Sequence, residues 1–417
     1  MFSGLKKYIK KLGPGWITGA SDDDPSGIGT YTYAGSRFGL APLWTMLFTL
    51  PLMSAVQEMC ARIAQVSGRG LSANMKKHMP RSVLGVIVVL LVFANTINIA
   101  ANIGAMAAAT QLLLPLPFFF LAILFTIATL VLEIFVSYKL YSRYLKFLTI
   151  SLFSYVVVAL FVTTDWPAVF RALVLPTFSL SKDFFFILVA IFGTTISPYL
   201  FFWQASSEVE DEVDKGRWTV LQRRGATKEE IDDMRVDVIS GMTFSNVVAF
   251  FIMLTAAVVL FPGGIVVETA GDAAAALAPL AGPFASLLFA VGIIGTGLLS
   301  IPVLAGSASY AVSEVMGWKS GLYRKLREAH GFYGIITIAT LVGLMINAIG
   351  VNPIDLLIWT AFINGLVAPA ILTSILVIAN NKQIMGKWRN GRLSNVLNCV
   401  TLGAMALAIV GLIVFWD

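Results

Sequence analysis

Charge is what this sequence has least of. Only 12% of its 417 residues are Asp, Glu, Lys or Arg, about half the share of an ordinary soluble domain. That scarcity excludes a soluble fold, a disordered chain and a nucleic-acid-binding surface. Cysteine is scarce too: Cys60 and Cys399 are the whole complement, both inside apolar stretches, which excludes a disulfide scaffold. His78 and His330, the two histidines, fall in polar segments, so a proton relay inside the apolar segments would have to do without histidine. No cleavable leader is read at the start, because the Lys-rich N-terminus runs directly into Gly13-Pro14-Gly15-Trp16 without a short apolar core and small-residue cleavage site. What remains is apolar: 58% of the residues, with a mean hydropathy of +0.83. The expected class is an all-α integral membrane protein.

Windows of about 20 apolar residues, enough to cross about 30 Å of hydrocarbon, predict eleven spans: 13–36, 42–61, 83–110, 116–137, 147–164, 184–206, 240–261, 280–305, 333–350, 354–379 and 394–416. Of the 29 Lys and Arg residues, 26 lie in the N-terminal segment and in the loops after the second, fourth, sixth, eighth and tenth spans. The other side keeps only Arg37, Arg171 and Lys182. The positive-inside rule then predicts a cytoplasmic N-terminus and an extracellular C-terminus in a prokaryotic-type cytoplasmic membrane. The surplus of six positive charges reports topology. The longest polar segment, Ser206 to Asp237, carries the acidic run Glu208 to Glu212 and then Glu229, Glu230, Asp232 and Asp233. It reads as a solvated connector with a short cytoplasmic helix.

The first span is interrupted by Ser21-Asp22-Asp23-Asp24-Pro25-Ser26-Gly27-Ile28-Gly29. Three carboxylates within a hydrocarbon-length segment cost roughly 2.5–3.5 kcal/mol each at the bilayer centre. Pro25 lacks a backbone donor, and the small residues beside it favour an unwound stretch. Such backbone is tolerated at membrane depth only where it is buried in protein or lines a water-filled cavity. Carboxylate and freed carbonyl oxygens at one level make a hard-cation site. The competing reading is a loop at the membrane surface, but apolar sequence flanks the run on both sides. Helical residues turn about 100° each, so the three acids cannot face one ion. Asp24, next to the break, is the expected ligand, with Asp22 and Asp23 lining the access path or accepting hydrogen bonds.

A second break lies in the sixth span at Thr194-Thr195-Ile196-Ser197-Pro198-Tyr199. A proline kink alone says little, since such kinks are common in membrane helices. Its position says more: first and sixth are equivalent places in two five-span halves of opposite orientation. Discontinuous helices so placed point to a transporter's midplane site. The expected division is 1–182 and 183–380 for the two inverted repeats, with 381–417 carrying an eleventh helix.

These residues resemble the NRAMP (natural resistance-associated macrophage protein) divalent-metal transporters. Further likeness lies in Gly13-Pro14-Gly15, in Gln57-Glu58-Met59-Cys60-Ala61-Arg62, in Ser67-Gly68 and in Ile384-Met385-Gly386. The resemblance implies the LeuT-type 5+5 inverted repeat with broken first and sixth helices plus an eleventh transmembrane helix. It also locates departures. The family's Asp-Pro-Gly-Asn stands here as Asp24-Pro25-Ser26-Gly27, and its Met-Pro-His as Ser197-Pro198-Tyr199. Thr194 falls where the family offers a backbone carbonyl. The family's third-helix acids align with Asn98 and Ala101. The pattern is most similar to the NRAMP-related magnesium transporter branch.

Thioether sulfur favours transition metals, whereas oxygen-only sites favour Mg²⁺, Ca²⁺ and Mn²⁺. Mg²⁺ keeps several waters and binds through one or two carboxylates. A site of Asp24 with Ser26, Gly27, Thr194 and Ser197, Asp23 beside it and extra room from the two shortened side chains, is the expected fit for a partly hydrated Mg²⁺, with Mn²⁺ tolerated. The metal is cargo, and no cofactor, nucleic acid or obligate protein partner is expected beyond the lipid bilayer. The third span offers Asn95, Asn98 and Asn102, which guide water or simply bond neighbouring helices. Glu58 and Glu133 read as lone buried acids, Glu58 structural. Uptake without proton coupling is expected, because a divalent ion gains about 4.6 kcal/mol across 100 mV. Proton-coupled Mn²⁺/Fe²⁺ transport, an organic-solute carrier and a cation channel are the alternatives. An enzyme is not expected.

Overall fold

The computed structural model describes residues 12–136, 149–162 and 165–415, and among them it contains no strand. Among the described residues, eight helical segments, one of them broken, are long and apolar enough to cross a membrane. They match eight of the eleven expected spans. The other three differ for separate reasons. The first span is two half-helices, α1 (Pro14–Asp22) and α2 (Pro25–Phe38). The second is α3 (Trp44–Ser67), whose second half carries Gln57, Glu58, Arg62 and Gln65. The fifth begins outside the described residues, as do Lys139, Arg143 and Lys146 of the preceding loop and the N-terminal Lys6, Lys7, Lys10 and Lys11.

A short polar-loop helix, α4 (Leu71–His78), leads into α5 (Arg81–Gln111) and α6 (Phe118–Phe135). Then come α7 (Phe153–Phe161) and α8 (Trp166–Val174). The sixth span is again broken, into α9 (Lys182–Thr195) and α10 (Pro198–Asp214). Five long helices complete the chain: α11 (Lys228–Val259), α12 (Ala285–Met316), α13 (His330–Asn347), α14 (Pro353–Asn380) and α15 (Arg392–Val414).

The polar stretch before α11 corrects the reading from sequence. Glu208 and Glu212 are buried on α10, which continues the broken span to Asp214. The residues from Lys228 are the first turns of α11 itself, opened by a capping box of Thr227 and Glu230. The connector is thus mostly helix, because the acids find donors: Gln65 and Gln204 bond Glu208, and Arg217 and Lys215 pair with Glu212.

Packing interleaves the halves. Both α1 and α2 lie along α11, while α10 lies along α3 and α9 along α14; α5 runs between α12, α13 and α14. Helices in a membrane gain little from apolar contact alone, so close approach through small residues replaces it. A Cβ on Gly19 would sit 2.2 Å from the Gly241 carbonyl oxygen, and one on Gly241 would sit 2.2 Å from that of Gly15. The second broken helix repeats the device: a Cβ on Gly193 would meet the Ala361 carbonyl at 2.0 Å. Each break is thereby pinned by backbone-to-backbone contact.

Gly241→Ala is expected to push α1 from α11 and cost about 1–3 kcal/mol, as overpacking does. Thermal unfolding of the detergent-solubilised protein measures it, with Gly85→Ala as control because Gly85 has nothing within 4 Å of its Cβ position. Equal midpoints for the two variants would contradict the packing argument.

Candidate metal site at the paired helix breaks

The first break follows from two residues. Pro25 opens α2 without an amide hydrogen, and Asp24 is its N-cap, with φ −73° and ψ 169°. One Asp24 oxygen, Oδ1, accepts from Ser26 Oγ at 2.7 Å and from the Gly27 amide at 2.9 Å. The other, Oδ2, accepts from Asn102 Nδ2 at 3.1 Å. The α2 dipole adds positive potential at that end. These bonds explain how a carboxyl side chain is held when it is 1% exposed, and Oδ2, which accepts a single bond, still has lone-pair capacity.

Ser26 and Gly27 are therefore brought to Asp24, and Thr194 comes with them. A Cβ on Gly27 would lie 3.1 Å from Thr194 Oγ1 and 3.4 Å from Tyr31. This corrects the expectation of a roomy site: Thr194 and Tyr31 close over the space that a larger side chain at 27 would take. Ser197 caps the opposite break. Its hydroxyl donates to the carbonyls of Gly193 at 2.7 Å and Thr194 at 2.8 Å, so only its lone pairs remain for a ligand.

Asp22 and Asp23 turn elsewhere. Ser245 on α11 donates to Asp22 Oδ2 at 2.6 Å and to Asp23 Oδ1 at 3.3 Å. One oxygen of each, Asp22 Oδ1 and Asp23 Oδ2, is buried without a partner. Among the described residues no three His, Cys, Asp or Glu side chains converge as a metal-holding group. The acidic run splits into one carboxylate at the break and two against α11.

Sequence reasoning placed a carbonyl at Thr194 but missed its counterpart at Ser21. Proline four residues after a carbonyl leaves that oxygen without its helical donor. Pro25 so frees Ser21 O, and Pro198 frees Thr194 O. In the fold, Ser21 O accepts from Tyr199 OH at 3.4 Å and Thr194 O from Ser197 Oγ. Each retains a second lone pair. Counting back four from each proline would have found both.

Access differs on the two sides. On the face of the Lys- and Arg-rich loops, a cavity of about 300 Å³ lies among Pro14, Ile17, Trp203, Glu210 and Tyr310. On the other face, one of about 590 Å³ is lined by Gln111, Glu268 and Asn352. A much smaller space beside α2 is lined by the apolar residues Ile28, Ala105, Phe289, Ile293, Ile354 and Leu357. Asp237, unremarked in the sequence, holds the start of α1: its carboxylate accepts from the amides of Gly13 (2.8 Å), Gly15 (2.6 Å) and Trp16 (2.9 Å). Glu58 is not a lone acid, as it pairs with Arg62 and with Arg235 of α11. Arg62 also donates to the Trp388 carbonyl and to Asn390, which makes the cluster structural. Glu133 is buried, and neither of its oxygens has a partner among the described residues. Asn364 is likewise buried without a partner.

Two spans, the first and the sixth, each broken into two half-helices at matching positions, fit the LeuT-type architecture. The family is specific. Residues 15–415 match the model of the natural resistance-associated macrophage protein-like family, and the chain belongs to it. It is accordingly an integral membrane transporter and not an enzyme. It is 24% identical over 418 residues to the divalent metal cation transporter MntH of Bacillus subtilis, covering 99% of this chain and 92% of the relative. The Eremococcus coleocola manganese transporter superposes with a TM-score of 0.77 at 16% identity, covering 98% of this chain and 87% of that one. Mhp1, a nucleobase-cation-symport-1 family transporter, shares the fold more distantly, with a TM-score of 0.51 at 14% identity over 96% of this chain and 90% of that one.

Removing the α1 cap by Asp237→Ala is expected to cost about 2 kcal/mol and to expose the N-terminal half of α1. Labelling of an Ile17→Cys variant, with Cys399 replaced, should quicken in the Asp237→Ala background. Unchanged labelling would show that the cap does not hold α1 in place.

Proposed function

We propose that the chain is a divalent metal cation transporter that imports Mg²⁺ in partly hydrated form, tolerates Mn²⁺, and works by alternating access. The observation that carries the reading is the donor set at the two breaks. It comprises one carboxylate, Asp24, held by the Gly27 amide, with hydroxyl and carbonyl oxygens from Ser21, Ser26, Thr194 and Ser197. Such an all-oxygen set suits a hard cation. Asp23 supplies negative potential beside the site. Because Thr194 and Tyr31 pack over Gly27, room for retained waters comes from relative movement of the half-helices.

The membrane potential drives the ion, and no proton accompanies it. The third helix places Asn95, Asn98 and Asn102 where a relay would need acids. The N-terminus is cytoplasmic and the C-terminus extracellular, with 1–182 and 183–380 as the moving repeats and 381–417 as the eleventh helix. The second reading is a proton-coupled Mn²⁺ carrier. Similarity to the Eremococcus coleocola manganese transporter favours its metal.

Purified protein in liposomes with an inside-negative potential is expected to take up Mg²⁺ while internal pH stays constant. Asp24→Ala and Asp24→Asn should each lower the flux at least about tenfold, the effect of losing about 1.4 kcal/mol or more. Stoichiometric acidification with Mg²⁺ entry would sink the uncoupled mechanism, and full flux in both variants would remove Asp24 from the site.

A further inference from the structure

The third-helix asparagines carry an arrangement that interhelical bonding alone does not explain. On α5, Asn95, Asn98 and Asn102 are fully buried and spaced by three and four residues, hence on one face. Asn95 Nδ2 donates to the Leu304 carbonyl at 2.9 Å and to Ser307 Oγ at 2.6 Å. Asn102 Nδ2 donates to Asp24 Oδ2 and to Ser300 Oγ at 3.0 Å. A backbone carbonyl and a carboxylate only accept, so the orientation of both amides is settled by chemistry. Their carbonyl oxygens, Asn95 Oδ1 and Asn102 Oδ1, are buried with no partner. Asn98, between them, has no partner for either amide atom.

Buried polar atoms in folded proteins are paired, and exceptions ask for a bound water, ion or ligand. Here the exceptions form a series. It starts at Asp24, passes Asn102 opposite Ser300, then Asn98, then Asn95 opposite Ser307. Three residues beyond Ser307 is Tyr310, which lines the cavity on the Lys- and Arg-rich face. Every fixed amide presents oxygen. A bare cation would want such oxygens as direct ligands, but so neutral and so extended a set suits something that donates hydrogen bonds along its whole surface. The water shell of a divalent cation does that, and Mg²⁺ is the ion that gives its shell up most reluctantly.

We propose that Asn95, Asn98 and Asn102 form an outer-shell acceptor ladder that hands the still-hydrated cation from Asp24 toward the cytoplasmic cavity, and that this ladder is a determinant of Mg²⁺ over Mn²⁺. The proposal rests on the hydrated-Mg²⁺ reading above. Asn98 is the rung with most to contribute, since neither of its amide atoms is engaged elsewhere.

The test measures Mg²⁺ and Mn²⁺ uptake separately in proteoliposomes for wild type, Asn98→Leu, Asn98→Gln and Asn95→Leu. Asn98→Leu is expected to lower Mg²⁺ uptake about tenfold while Mn²⁺, which sheds water more readily, falls less than about threefold. Asn98→Gln restores the acceptor and most of the Mg²⁺ flux. Asn95→Leu repeats the change in ratio, so the test survives if one variant misfolds. Hexaamminecobalt(III), whose donor shell cannot exchange, should block wild-type Mn²⁺ uptake and lose about tenfold in potency against Asn98→Leu. Equal loss of both metals, or an unchanged ratio beside an active wild type, overturns the ladder and leaves the reading of Asp24 standing. A wild type that moves no Mg²⁺ overturns both.

Discussion

A polypeptide broken inside hydrocarbon has to satisfy its own polar groups, and that requirement organises this molecule. Asp24 meets it at the first break by accepting from Ser26, Gly27 and Asn102, and Ser197 meets it at the second by returning its hydroxyl to α9. The same prolines that create the problem leave Ser21 O and Thr194 O at the site. Cost and chemistry therefore share an origin. The unwound backbone that would be intolerable in lipid becomes a ring of oxygens once neighbouring helices bury it.

Burial of that kind needs neighbours that approach closely. Gly15, Gly19 and Gly241 let α1 lie on α11 at backbone distance, and Gly193 does so for α9 against α14. On one face of the molecule, the small space beside α2 is lined by apolar residues such as Ile28 and Leu357. The other face is tied by charge: Asp237 on the amides of α1, and the Glu58, Arg62 and Arg235 cluster.

Much was legible in the sequence because membrane physics is severe. Few charges, apolar runs of span length and prolines beside acids admit few structures, and the first and sixth breaks could be placed to within a few residues. Other features were not legible. Glu208 and Glu212 read as solvated, yet their partners Gln65, Gln204 and Arg217 come from separate segments that only folding assembles. The shortened side chain at Gly27 read as added room, whereas Thr194 and Tyr31, from α9 and the next turn of α2, lie against it. Glu58 read as solitary although its partner Arg62 is one helical turn away; its second partner, Arg235, is 177 residues away in the chain.

By itself, the sequence determined that this is a helical membrane protein and where its helices break. Hydropathy and proline act locally, so they can be read locally. Only the tertiary structure decided how the three aspartates divide, with Asp24 facing Asn102 and with Asp22 and Asp23 facing Ser245. It also decided that Asp237 caps α1 and that three asparagine oxygens line up unpaired beside the site. Those outcomes depend on which helix is brought against which face, and no stretch of chain carries that information alone.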